Sequence, residues 1–203
     1  SHNWRQYEAV LYVSRACAEA EIRVYVPAYH PGWPDHVSTG MLWLDHVSLL
    51  PADSFGFVKR EVIEMTRPLN AGMMRISGNY ISAYHWEHGV GPVLERPVMY
   101  NEAWGGWTSK YFGTDEFIAF CRELGVEPLI SVNDGSGTPE EAASWIEYCN
   151  GSADTPMGAR RAANGHPEPY NVRYWEIGNE VWGQWQVGAC TAEQFAERCA
   201  SFA

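Results

Sequence analysis

Basic residues are scarce in this sequence: 14 lysines and arginines stand against 25 aspartates and glutamates, a formal net charge of −11. Such a surface repels phosphate backbones and anionic headgroups, which excludes nucleic acid and membrane surfaces as partners. A neutral sugar meets no such penalty. No apolar run approaches the ~20 residues that span a bilayer. The chain opens on Ser1, with no basic-then-apolar leader read at its start, so the compartment stays open. Cysteine is sparse and badly arranged for disulfides: Cys17, Cys121, Cys149, Cys190 and Cys199 form an odd, scattered set without a C-x-x-C pair. Cys121 falls in line with Phe117 and Leu124, and Cys149 with Trp145 and Ile146, as reduced core hydrophobes would at helical spacing. Charged residues make up only 19% against 46% hydrophobic, a globular rather than a disordered composition.

Several chemical motifs are incomplete. His85-x-x-His88 has no Cys or third His to finish a metal-binding set, and reads as two polar loop histidines. The segment Asp134-Gly135-Ser136-Gly137-Thr138 resembles a phosphate loop but lacks its third glycine. Glu140 stands there instead, and with Glu141 it would oppose a phosphate at the helix start. No G-x-S-x-G elbow supports serine hydrolase chemistry. What the sequence has in quantity is aromatic rings: 10 Trp, 11 Tyr and 7 Phe. Most aromatics pack in cores, but the same rings also stack on the apolar C–H faces of sugars.

Residues 1–52 differ from the rest. Tyr7 to Val13, Glu21 to Ala28 and Met41 to Leu50 are β-favouring runs separated by turn clusters such as His30-Pro31-Gly32-Trp33-Pro34, and predict strands of a small β-domain. A boundary is expected near Pro51 to Phe55. Beyond it, Val58, Val62 and Met65 mark a short helix closed by Pro68, and Gly72 to Gly78 a compact strand. Thr114 to Leu124 reads as a helix with Thr114 as its cap, Asp115 and Glu116 at its positive end, and Gly125 as its stop. Val126 to Asn133 follows as a buried strand. Thr138-Pro139-Glu140-Glu141 forms a capping box that opens a helix to about Cys149. Val172 to Glu180 is the next strand, and Thr191 to Gln194 caps a last helix. Strictly alternating helices and strands imply parallel strands with right-handed crossovers, an α/β domain. Three strands do not close a barrel, which needs eight.

In parallel α/β domains, function gathers at the C-terminal ends of the strands. Those ends read Gly78-Asn79, Asn133-Asp134 and Gly178-Asn179-Glu180. Amides and carboxylates at neighbouring tips can hydrogen-bond hydroxyls in both senses. Glu180 directly follows an apolar strand and projects from the sheet rim. There burial or a neighbouring charge could raise its pKa to suit a general acid. An isolated loop glutamate would more often simply pair with an arginine.

Ordered motifs shift that balance. Gly78-Asn79-Tyr80, then Tyr84-His85-Trp86-Glu87-His88-Gly89-Val90-Gly91-Pro92 and Arg96-Pro97, resembles the stretch after the second barrel strand in family-51 α-L-arabinofuranosidases. Phe112 to Phe117, Glu127 to Asn133 and Tyr174 to Glu180 continue the likeness in the family's order, over roughly residues 55 to 190. The resemblance implies a (β/α)8 barrel of which residues 53–203 hold about strands 2–4, an incomplete N-terminal half. Residues 1–52 would be the remnant of a carbohydrate-binding-module-like β-sandwich, with Trp43 to Pro51 similar to its last strand. It implies a retaining hydrolase that releases terminal α-L-arabinofuranosyl groups from arabinose-containing polysaccharides or oligosaccharides by double displacement. By the same likeness Glu180 is the general acid/base, Asn79 and Asn179 bind the sugar, and Trp104 shapes the pocket, with Trp182 and Trp185 toward the aglycone. No metal or cofactor is implied, the partner is carbohydrate, and a homo-oligomer is compatible with the family. Ser77 and Lys110 depart from the Gly and Asn usual at those positions, which bears on fine specificity. The first barrel strand with its sugar-binding Glu lies upstream of the matched stretch, and the nucleophile beyond Ala203, so the chain alone is expected to be inactive. The competing readings are an endo-β-glucanase of the same family and a non-catalytic carbohydrate-binding fragment.

Overall fold

The computed structural model describes residues 4–15, 21–24 and 43–203. Contacts divide the chain into two units, Ser1–Ala52 and Asp53–Ala203. In the first unit, the stretches Tyr7 to Val13 and Trp43 to Leu50 form no strand. This corrects the expectation from their β-favouring composition. A strand holds only when a neighbour takes up its backbone groups, and these residues lie exposed, Tyr12 by 93% and Val47 by 80%. Residues 21–24 form no strand either, and the remaining parts of the predicted runs, 25–28 and 41–42, lie outside the described residues.

The second unit starts with helix α1 (Arg60–Thr66), continued by a 3-10 turn at Arg67–Leu69 that carries Pro68. Its buried residue is Ile63, whereas Val62 and Met65, which marked the helix in sequence, are exposed. Strand β1 (Met73–Ile76) follows, then 3-10 turns over Asn79–Ala83, Trp86–Gly89 and Val93–Glu95. A two-residue-per-strand hairpin, β2 (Met99–Tyr100) and β3 (Trp107–Thr108), leads to helix α2 (Thr114–Leu124). Gly125 stops α2 in the left-handed conformation (φ 72°) as its sequence predicts. The cap, however, is Gly113, whose N–H donates to Glu116 at 2.8 Å. The Thr114 hydroxyl is engaged elsewhere, accepting from the buried Trp145 indole at 3.0 Å.

Strand β4 (Glu127–Val132) leads to helix α3 (Pro139–Asn150), where the Thr138 hydroxyl accepts from the Glu141 N–H at 3.1 Å. Helix α4 (Pro156–Ala163), not expected from the sequence, is capped by Thr155 with Pro156 at its first position. Strand β5 (Tyr174–Ile177) and helix α5 (Ala192–Phe202) complete the chain, with Thr191 and Gln194 forming the predicted capping box.

The three longer strands form one parallel sheet in the order β1-β4-β5, with Ile76 beside Ile130 and Val132 beside Ile177. Period-two alternation gives it two distinct faces. Met74, Ile76, Ile130, Val132, Trp175 and Ile177 turn toward the helices and join a core built on Trp86, Trp145 and Tyr148. The Trp86 and Trp145 rings stack at 6.3 Å, and Trp175 meets Trp145 edge-on at 6.0 Å. Arg75, Ser131 and Glu176 occupy the other face. An apolar back and a polar front are what a sheet needs when its front carries chemistry.

Two buried charges tie the helices together. Asp115 accepts from the Tyr148 and Tyr170 hydroxyls at 2.9 and 2.7 Å. Burial raises its pKa, and the two tyrosine hydrogen bonds only partly offset that. Arg161 is fully buried and donates to three backbone carbonyls, those of Tyr148, His166 and Pro167.

Candidate active site

The polar face of the sheet leads to the strand tips through one connected network. Arg75 on β1 donates to Glu176 on β5 at 2.7 Å, and the hydroxyls of Ser131 and Ser77 add to the same oxygen. Burial pushes the Glu176 carboxyl up, but the bonds from Arg75 and Ser131 outweigh it and hold the group below the usual carboxylate range. Arg75 also donates to the Asn179 side-chain oxygen at 3.0 Å, and the Asn179 amide donates to Asn79 at 3.1 Å. The tips of β1 and β5 are thus joined amide to amide. This leaves the Asn79 NH2 free of protein acceptors among the described residues.

Glu180 follows Asn179 directly. The chain leaves β5 through two left-handed residues, Gly178 (φ 68°) and Glu180 (φ 47°). A non-glycine residue in that region is uncommon, and such residues concentrate at functional sites where the surroundings enforce the conformation. Here Gly178 N–H bonds the Val132 carbonyl at 3.1 Å, and Gly183 N–H bonds the Glu180 carbonyl at 2.8 Å. The Gln186 amide donates to the Asn179 carbonyl at 2.7 Å. The result sets an exposed Glu180 side chain on the wall of a cleft of ≈590 Å³, together with Arg75, Asn179, Trp182, Cys190 and Phe195. Glu180 is the one carboxylate of that lining among the described residues.

Asn179 and Glu180 adjoin on the cleft wall, and Asn79 is bonded to Asn179 but does not itself line that wall. Trp104 is placed differently. It sits in the turn of the β2–β3 hairpin, 69% exposed, its N–H held by the Asn101 side chain at 3.0 Å. It stacks on Tyr80, the neighbour of Asn79, at 6.4 Å, and is not part of the cleft wall. Trp182 lines the cleft, with Trp185 edge-on against it at 5.0 Å. Lys110 is buried, bonded to the Tyr80 hydroxyl and lying 4.5 Å above that ring; burial lowers its pKa.

The two incomplete motifs make the following contacts. His85 Nδ1 sits 3.0 Å from the Glu141 carboxylate with His88 edge-on beside it, and no cluster of three metal-ligating side chains occurs among the described residues. The Asn133 side chain accepts from the N–H groups of Gly135 and Ser136, so those donors are turned inward rather than toward a phosphate. Sequence reasoning missed Arg75, Glu176 and Gln186. For the first two a signal was present: a single charged residue inside each of two otherwise apolar strands, Met73–Ile76 and Tyr174–Ile177. Gln186 carried no signal.

The model of the α-L-arabinofuranosidase 1 domain family matches residues 65–202. Among curated proteins, α-L-arabinofuranosidase C of Emericella nidulans is 44% identical over 153 residues, which cover 75% of this chain and 30% of that protein. An intracellular exo-α-(1→5)-L-arabinofuranosidase of Halalkalibacterium halodurans is 35% identical over 173 residues, 85% of this chain and 31% of its own length. The structure of the thermostable GH51 α-L-arabinofuranosidase from Thermotoga petrophila superimposes with a TM-score of 0.72 at 45% identity, covering 75% of this chain and 32% of that one. The chain belongs to the α-L-arabinofuranosidase family defined by that domain, and it spans about 30% of the length of the curated relatives it matches.

Proposed function

We propose that residues 53–203 are the part of a (β/α)8 barrel that holds about strands 2–4 of a retaining α-L-arabinofuranosidase, preceded by residues 1–52 as a separate module. In this reading Glu180 is the general acid/base, and Asn79 and Asn179 hold the furanose hydroxyls. The substrate is a terminal α-L-arabinofuranosyl group on a polysaccharide or oligosaccharide. One observation carries it: Asn179, bonded amide to amide to Asn79, stands next to Glu180 on the wall of a cleft where Glu180 is the one carboxylate among the described residues. Retaining hydrolysis needs two carboxyl groups about 5–5.5 Å apart. Glu176, whose Oε1 is held by Arg75 and Ser131, lies outside that lining and is not assigned the second role in this reading. The nucleophile is then supplied by polypeptide that packs against this sheet.

The chemistry follows. Glu180 gives its proton to the departing glycosidic oxygen while the partner carboxylate takes the anomeric carbon. The resulting carboxylate then accepts a proton from the water that releases the sugar. The test is Glu180→Gln in the full-length enzyme. Turnover of substrates with poor leaving groups should fall by about 10²–10⁴-fold, while 2,4-dinitrophenyl arabinofuranoside, whose leaving group needs no proton, still forms the glycosyl-enzyme. Unchanged turnover on poor leaving groups overturns the assignment.

A further inference from the structure

Behind the Glu180 turn lies an ion pair that the chemistry above does not use. The Asp134 side chain, at the tip of β4, is wholly buried, and its Oδ2 accepts from Arg198 of α5 at 2.9 Å. Its Oδ1 is buried with no hydrogen-bond partner. A buried pair satisfied on one oxygen only is a poor stabiliser, since desolvation offsets much of the attraction. Its placement is more informative than its strength. The carboxyl lies flat against Gly178, so that any Cβ there would overlap it. Arg198 also donates to the Gly188 carbonyl at 2.9 Å, and Gly188 packs on Gly135 so closely that its own Cβ would collide. The loop that leaves Glu180 is thus brought back onto the β4 tip at Gly188. It is fastened a second time by the buried Gln186, whose amide donates to the Asn179 carbonyl and the Ser82 hydroxyl.

We propose that Asp134 and Arg198 are positioning residues: the pair clamps the Gly178–Gly188 loop against β4 and so aims the Glu180 carboxyl at the leaving-group oxygen. The carboxylate blocks outward movement of the Gly178 backbone, and the guanidinium holds both that carboxylate and the far end of the loop. Neither residue touches substrate. The inference rests on the reading of Glu180 as acid/base.

The test uses the full-length enzyme with two substrates: phenyl arabinofuranoside, whose departure needs a proton, and the 2,4-dinitrophenyl analogue, whose departure does not. Glu180→Gln is measured first as the reference. Arg198→Met should lower kcat on the phenyl substrate by about a hundredfold, the cost of an ångström-scale misplacement, with KM little changed. Formation of the glycosyl-enzyme from the dinitrophenyl substrate should stay within a few-fold, and Arg198→Lys should recover most of the loss. If Arg198→Met does not fold, Asp134→Asn, which preserves volume, carries the same prediction. Equal losses on both substrates, or none on either, overturn the positioning role while Glu180→Gln still discriminates between them. If Glu180→Gln fails to discriminate, the acid/base reading itself falls, and the inference with it.

Discussion

Gly178 is the residue on which the site geometry turns. Its φ of 68° suits glycine, and the Asp134 carboxyl fills the space a side chain would need. Gly178→Ala combines left-handed strain with a collision, and should cost about 2 kcal/mol or more in urea unfolding. A neutral outcome would mean the turn relaxes at no cost. Glu176 offers a test by pH. Its folded-state pKa is depressed, so its contribution to stability is present above the ordinary carboxylate range and is lost as pH falls through the folded value. Thermal melts of Glu176→Gln should accordingly show a shallower loss of stability on acidification than the parent chain. At this scale the placement of Asn79, Asn179 and Glu180 just after strands was legible because strand ends announce themselves in sequence, while the roles proposed for them come from the family resemblance. The Arg75–Glu176 pair was only half legible. Alternation shows that two polar groups share a face, but not that residues 101 positions apart meet.

The elements that local chemistry dictates appeared where expected. Thr138 and Thr191 cap α3 and α5, and Gly125 ends α2, because hydroxyl caps and left-handed glycines act within a single turn. Thr114 misled for an instructive reason: a hydroxyl able to cap α2 was drawn off by the Trp145 indole across the core. Helix α4 was missed although Thr155-Pro156 is a serviceable start signal. It is short, and what fixes it is tertiary, the Arg161 guanidinium filling three carbonyls at the far end of α3 and beyond. Arg161→Met should therefore destabilise the chain by about 3 kcal/mol, since buried acceptors would lose a charged donor. Chemical denaturation measures it, and a loss below about 1 kcal/mol, the value of one ordinary hydrogen bond, would show that α4 holds by apolar contacts instead. The strands foreseen at Tyr7 to Val13 and Trp43 to Leu50 failed at the same scale. Composition favours extended backbone, but a ladder needs a partner.

As a whole molecule, the second unit is a parallel sheet with helices on one face and a charged, hydrogen-bonded front on the other. A parallel sheet is ordinarily covered on both faces, and the chain spans about 30% of the length of its curated relatives. The 203-residue chain by itself should accordingly leave aryl arabinofuranosides uncleaved, and robust hydrolysis by the isolated chain would refute the proposed placing of the second carboxylate outside this segment. The most direct test of Glu180 as acid/base is azide rescue of Glu180→Ala in the full-length enzyme. With 2,4-dinitrophenyl α-L-arabinofuranoside the variant should stall at the glycosyl-enzyme, because water then lacks its base. Azide needs no base, so it should restore turnover and yield the arabinofuranosyl azide with the α configuration of the substrate. A β-configured azide would make residue 180 the nucleophile instead, and turnover that is unimpaired and indifferent to azide would remove it from the chemistry altogether.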